Sequence, residues 1–378
     1  SSDDKRFFRY WVEIDYNKID FSIRNKHDAA NSIQKWIPLN KGGSLKWYGE
    51  NWYVINWEND GKEIKEYAKS LYKSVTRTIT SIDYYFKKSI TWPQITSSPR
   101  FRSIKEGFIF NAAGPSMFVP DNLYLYILGF LNTPIVQELT SVLNPTVNLC
   151  VTDMLNIPLL VSEDRKTEIE VKVEECINYA KADWDSSELS WDFMRHPLVK
   201  EKTIFEAFKI WDKECNERFY SVKIREEELN AIFLSIYGLE RELSPIVDDD
   251  NITIHKADLN ANIKSLISYA VGCMFGRYSL DTEGLNCTSN ICDVTTNNTF
   301  KMDIDNIIPI CSDEYFEDDI TGRLVKFIEI VYGKETLQAN LQFIADALGG
   351  KGTPVEVIRD YFVNDFFRVR DEGENEGK

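Results

Sequence analysis

The chain has 378 residues, 43% of them hydrophobic and 13% aromatic, which excludes wholesale disorder and suits two or three domains. No run of about 18 apolar residues occurs, so no transmembrane helix is expected. The 44 Lys and Arg against 60 Asp and Glu give a formal charge of −16, which at face value speaks against a nucleic-acid partner.

The start, Ser1-Ser2-Asp3-Asp4-Lys5-Arg6, has no apolar signal-peptide core and reads as the cut end of a longer protein. Residues 7–60 alternate apolar with polar residues, as in Trp52-Tyr53-Val54-Ile55-Asn56-Trp57, and predict short strands joined by turns such as Lys41-Gly42-Gly43-Ser44. From 62 to 79 the period changes. Ile64, Ala68, Leu71, Tyr72 and Val75 recur at three and four, predicting an amphipathic helix with Asp60 as a possible cap. Its other face carries Lys62, Lys65, Lys69, Lys73 and Arg77. Residues 84–120 return to strands and loops, punctuated by Pro93, Pro99, Gly107, Gly114, Pro115 and Pro120. Leu123–Leu131 and Ile135–Leu143 read as helices.

The remainder reads as mostly helical. Predicted helices cover 163–183, 203–237 (stopped by Gly238), 259–275, 318–332, 335–348 and 354–368. Residues 285–300 read as a polar loop, and residues 371–378 as a disordered tail. No repeat of 20–50 residues is present. These readings give an α+β fold: a strand-and-loop-rich domain over 1–160, then a mainly α-helical region over 161–370.

Cys150, Cys176, Cys215, Cys273, Cys287, Cys292 and Cys311 are odd in number and mostly set among apolar residues, as for reduced thiols in a cytosolic protein. Cys287 and Cys292 could form half of a metal site, but no second pair and no nearby His follow. His27, His196 and His255 lie far apart, and no catalytic triad is evident. Gly349-Gly350-Lys351-Gly352 follows a predicted helix without Walker spacing and reads as a helix-ending turn. Asn144-Pro145-Thr146-Val147 begins like the Asn-Pro-Pro-Tyr motif of exocyclic-amine methyltransferases. It lacks the second proline and the stacking aromatic, and reads as a turn.

The total charge hides an asymmetry. Residues 1–160 hold nineteen Lys or Arg against sixteen Asp or Glu, a formal +3, leaving −19 for the rest. Residues 62–105 alone hold ten against three, a formal +7. Six of the nine tryptophans (Trp11, Trp36, Trp47, Trp52, Trp57 and Trp92) fall in the first hundred residues. They suit either a small domain's core or a stacking surface. Lys41, Lys46, Lys87, Lys88, Arg100 and Arg102 lie in or beside turn-like segments of the type that reads base edges, with solvated surface as the alternative. The helix bearing Lys62 through Arg77 suits phosphate tracking, with pairing to Glu63 and Glu66 as the rival.

Longer runs carry a resemblance. Asn40-Lys41-Gly42-Gly43-Ser44-Leu45-Lys46-Trp47-Tyr48-Gly49 is followed by Tyr53 through Gly61, Ser89-Ile90-Thr91-Trp92, Gly107-Phe108-Ile109-Phe110 and Leu143-Asn144-Pro145-Thr146. Further on come Leu229 through Phe233, Ile236 through Leu239, Ser268 through Tyr278, Asp305 through Ile310, Phe343 through Gly349 and Ile358 through Phe362. In order and spacing these resemble the target-recognition portion of BREX adenine-specific DNA methyltransferases, the PglX family. Restriction–modification enzymes with fused specificity domains look more distantly related. The resemblance implies phage defence, methylation of an adenine exocyclic amine in a short non-palindromic site, and a cytoplasmic location. It also implies that S-adenosylmethionine and Asn-Pro-Pro-Tyr belong to a preceding catalytic domain, so this segment carries no cofactor or catalytic residue of its own. Residue chemistry and resemblance together nominate Lys41, Gly42, Gly43, Lys46, Trp47, Lys69, Lys73, Arg77, Lys87, Lys88, Thr91, Trp92, Arg100 and Arg102 for duplex DNA. The acidic helical region is expected to brace the recognition domain, meet the methyltransferase domain, or dock other BREX proteins or phage inhibitors. A protein-interaction module or acidic DNA mimic is the rival reading.

Overall fold

A computed structural model describes residues 4–144, 146–286, 299–316 and 318–368. The Cys287/Cys292 pair, Pro145 and the expected tail at 371–378 lie outside the described residues. The chain is α+β, with strands and loops first and helices afterwards. It divides into two units, and the division does not fall at residue 160. The first comprises 1–185, 189–191 and 218–255; the second comprises 186–188, 192–217 and 256–378.

The first unit holds a four-stranded sheet of order β1-β3-β2-β6, built from β1 (Phe8–Tyr10), β2 (Trp36–Asn40), β3 (Tyr53–Asn56) and β6 (Ile109–Phe110). Pairings are antiparallel except for β2 with β6, where Leu39 faces Ile109. A second, antiparallel sheet has order β5-β4-β7, from β4 (Ser89–Thr91), β5 (Arg102–Ile104) and β7 (Ser116–Met117). Short helices α1 (Asp4–Phe7) and α2 (Lys26–Asn31) precede the first hairpin.

Helix α3 (Glu58–Tyr72) is shorter than its periodicity predicts. It stops where Lys73 turns left-handed, at φ 55°, because Ser74, Val75 and Thr76 favour the helix less than the alanine- and lysine-rich turn before them. Asp60 does not cap it. Residues 59–61 are themselves left-handed, and Asp60 pairs with Lys65 at 2.6 Å.

The unit boundary shifts because the apolar stripes of later helices belong to this core. Helix α4 (Tyr124–Leu131) is apolar nearly all round, and α5 (Pro134–Leu143) opens on its proline; α6 (Val151–Met154) is a single turn. Helix α7 (Glu163–Trp184) buries Ile169, Val173, Cys176 and Ala180 in the same cluster as α4. At Gly129 a Cβ would stand 2.7 Å from Val173, so glycine lets the two helices approach. Helix α8 (Ile204–Tyr237) gives residues 218–237 to this unit, where Phe233 meets Tyr126 and Phe130 at ring distances of 5.3 and 5.6 Å.

The second unit takes residues 204–217 of α8 together with α9 (Leu259–Met274), α10 (Ile320–Tyr332), α11 (Leu337–Leu348) and α12 (Pro354–Asn364). Three of these begin on side-chain caps: Asp258, Asp319 and Thr353 accept from Ala261, Gly322 and Glu356. Helix α11 ends on left-handed Gly349, so the glycine-rich run is a helix-ending turn. No described helix is long and apolar enough to cross a membrane.

Candidate nucleic-acid interface

The glycine-bearing loop after β2 is fixed from within. Arg102, on β5, donates to Glu50 at 2.7 Å, to Asn40 Oδ1 at 3.2 Å and to the Gly42 carbonyl. Glu50 also accepts from the Leu45 amide at 2.9 Å and from the Ser44 hydroxyl at 3.2 Å. Asn40 extends the network by donating to Thr91 Oγ1 at 2.7 Å. A Cβ on Gly43 would lie 1.8 Å from the Arg102 guanidinium, and one on Gly42 would lie 2.4 Å from the Ala113 carbonyl. The two glycines therefore admit the arginine and close the loop. Burial presses the Arg102 guanidinium down from its ordinary value, and the Glu50 carboxylate opposes that shift.

The next two residues turn inward as well. The Lys46 ammonium and the Trp47 indole both donate to Glu226 on α8, each at 2.7 Å. The Lys46 and Glu226 side chains are only 5% and 3% exposed. The Trp47 backbone bonds Phe101 and Ser103, adding the loop alongside β5. Trp92 donates its indole N–H to the Leu149 carbonyl at 3.1 Å, within the same aromatic core as Phe101.

Lys46, Trp47, Thr91, Trp92 and Arg102 thus occupy the interior, although their sequence context nominates them for DNA. Protein groups bond the Lys46 ammonium, the Thr91 hydroxyl, the Trp47 and Trp92 indoles and both terminal nitrogens of Arg102, while Arg102 Nε is buried with no partner among the described residues. Trp11, Trp36 and Trp57 are buried too, so the tryptophan concentration builds core.

The other nominated residues face outward. Lys69, Lys73, Arg77 and Lys87 are exposed; Lys41, Lys88 and Arg100 are half-buried, as are the glycines Gly42 and Gly43. Lys41 lies 4.8 Å from the Tyr53 ring, Lys87 4.9 Å from Tyr84 and Lys88 3.8 Å from Tyr124. Arg100 donates to the Ser44 carbonyl at 3.1 Å, bracing the loop from its outer side. Arg77 lies past the end of α3 and stacks over Tyr72 at 5.1 Å, so it does not continue the helical row.

Pairing within α3 is limited to Lys65 with Asp60. Glu63 turns instead to Arg6 and Asn56. Among the described residues Lys62, Lys69, Lys73 and Arg77 have no acidic partner. They form a short exposed cationic row on and just beyond one helix.

Asn144 is committed to a turn. It donates to the Asn148 carbonyl at 2.7 Å and to Asp153 at 2.8 Å, and accepts from the Thr146 amide and hydroxyl. Its carboxamide is thereby spent. Among the described residues no group of three or more His, Cys, Asp or Glu could hold a metal ion. His196 is buried, its Nδ1 accepting from the Leu198 amide at 3.2 Å, and burial lowers its pKa to about 3. His255 pairs with Asp183 at 3.0 Å, which raises its pKa.

Sequence reasoning missed Glu226, Glu50 and Asn40, which position this loop. Glu226 is 180 residues from Lys46, and inside a charged helix it carries no local signal.

No family model matches the chain. Among curated proteins it is 38% identical over 379 residues to the adenine-specific methyltransferase PglX of Lacticaseibacillus casei (strain Zhang). It is 31% identical over 400 residues to the adenine-specific methyltransferase BrxX of Escherichia coli O9:H4 (strain HS). Each match takes in 96% of this chain and only 31% of the relative. The chain is a homologue of one segment, about a third in length, of the PglX and BrxX adenine-specific methyltransferases.

Proposed function

We propose that this chain supplies sequence-specific recognition of duplex DNA to a BREX-type adenine methyltransferase. The observation that carries this reading is similarity, at 38% and 31% identity, over 96% of the chain to one segment of two adenine-specific methyltransferases, in a sequence that contains no Asn-Pro-Pro-Tyr run. Methyl transfer, with its S-adenosylmethionine and flipped adenine, would belong to another portion of a longer protein.

In this reading Lys62, Lys69, Lys73, Arg77 and Lys87 track phosphates, while Lys41, Lys88 and Arg100 approach the duplex from the braced loops. Lys46, Trp47, Thr91, Trp92 and Arg102 hold those loops in register from within. The acidic helical region meets protein: the methyltransferase domain, other BREX components or phage inhibitors. The setting is the cytoplasm of a prokaryote.

Selection from a randomised duplex library, followed by fluorescence anisotropy across a salt series, tests this. Enrichment of one short asymmetric motif, with a preference that survives moderate salt, is the expected result. If no duplex is enriched and a basic partner protein is bound instead, the chain is an interaction module.

A further inference from the structure

At the turn of residues 78–85 the first unit has an open cleft of about 500 Å³, within the range of small-ligand sites. We propose that it is a site for a nucleobase. The proposal goes beyond duplex recognition and stands on the cleft alone.

The wall is a run of touching rings. Tyr84 meets Phe118 at 4.8 Å, Phe118 meets Phe110 at 5.5 Å, Phe110 meets Tyr85 at 5.3 Å, and Tyr85 meets Trp57 at 5.7 Å. Such a surface suits a planar π-system, because every base offers a face to stack. Polar groups also line the space. Thr78, Thr80, Ser81 and Gln94 line it, and their side chains make no hydrogen bond to the described protein. Asn111 commits only its Oδ1, to the Ala113 amide at 3.0 Å.

Thr78, Thr80 and Ser81 are exposed, whereas Gln94 and Asn111 are half-buried, and a purely apolar guest set against these two carboxamides would strip their water without replacing its bonds. A base edge, carrying donors and acceptors in one plane, would satisfy them. No Asp, Glu, Lys, Arg or His lines the space, which fits an uncharged ring system. Lys87 lies 4.9 Å from the Tyr84 ring, so a cation stands beside one wall of the cleft. Asp83, the acidic neighbour of Tyr84, is paired with Lys26. The base could come from a free nucleotide or from an unstacked nucleotide in DNA; the chemistry of the site is the same.

Cys150 lines the cleft and is half-buried, so its alkylation reports occupancy. The full chain is treated with iodoacetamide and mapped by peptide mass, with half-buried Cys311 as the reference thiol. The probes are the four deoxynucleoside monophosphates, a duplex with one bulged nucleotide, the fully paired duplex, and cyclohexanol. Calorimetric titration of the mononucleotides runs alongside.

Mononucleotides are expected to slow Cys150 alkylation at least fivefold while Cys311 is unchanged. Tyr84 is exposed, so Tyr84→Ala should keep the fold and weaken binding about tenfold or more, the scale of one lost stacking ring. Gln94→Leu should reduce discrimination among the bases. Protection by mononucleotides and by neither duplex assigns a free nucleotide; protection by the bulged duplex beyond the paired one assigns DNA. The proposal is overturned if the calorimeter and the thiol both report no nucleotide binding. It is equally overturned if both duplexes protect alike without the mononucleotides, or if cyclohexanol protects as well and Tyr84→Ala changes nothing.

Discussion

Replacing Glu226 by glutamine separates an internal Lys46 from a DNA-contacting one. Glutamine keeps an oxygen for the Trp47 indole, so the substitution removes chiefly the charge facing Lys46 at 2.7 Å. An ammonium 5% exposed is then left without a counter-charge. Breaking one side of a buried pair costs about 3–5 kcal/mol. For a unit of this size that corresponds to roughly 2–4 °C of melting temperature per kcal/mol. Lys46→Met alone should cost a similar amount, because it strands the carboxylate. Lys46→Met with Glu226→Gln removes both charges and should recover most of the loss, giving a coupling energy above about 2 kcal/mol in a double-mutant cycle. Urea denaturation followed by near-ultraviolet circular dichroism measures all four proteins. If Lys46→Met unfolds like the parent and instead weakens duplex binding, Lys46 is a phosphate contact and the internal bridge is not what holds the loop.

Three further outcomes follow from the same geometry. Changing Lys69, Lys73 and Arg77 to glutamine should weaken binding to every duplex and lower the salt slope by about one for each phosphate left without its cation, with the melting temperature unmoved; an unchanged slope in the anisotropy titration would remove them from the interface. Gly43→Ala drives a methyl into the Arg102–Glu50 pair, at 1.8 and 2.0 Å, and should destabilise by about 2 kcal/mol or more in urea; a neutral substitution would show that the loop relaxes freely. His196 has a folded pKa of about 3 against an ordinary 6.5, so the unfolded chain takes up the proton first. Its contribution is whole above about pH 6.5 and is lost as pH falls toward 3, at about 1.4 kcal/mol per pH unit. His255, raised by Asp183, works in the opposite sense over the same window, so the readout is the difference: in denaturation between pH 7 and 5.5 the parent should lose more stability than His196→Gln, whereas equal slopes would refute a buried neutral imidazole.

Much of the fold is legible in the sequence because helices announce themselves locally. The apolar stripes and capping residues of 204–237, 259–274 and 354–364 are enough to place them. What the stripes do not say is which core they enter. Helix α7 reads as the start of a second domain, yet its Ile169 and Val173 close over Gly129 of the first.

The candidate site divides along the same line. Exposed cations such as Lys69 and Lys73 are visible from helical spacing. Lys46 and Arg102 sit among Gly, Ser and Trp in segments that look like surface loops, and their burial depends on Glu226 and Glu50, which local pattern does not link to them. Arg77 misleads for a different reason. Its spacing from Lys73 is helical, but the β-branched residues between them end the helix first.

The bond from Lys46 to Glu226 also bears on the exchange of segments between relatives. A graft that takes residues 1–160 from one enzyme carries the lysine and the indole, but leaves their carboxylate on the recipient's helix. Where the recipient has another residue at that position, the transplanted loop arrives with an unpaired charge in its foundation. An exchange cassette that includes residues 218–255 moves both ends of the bond together and keeps the imported loop in the shape its donor gave it.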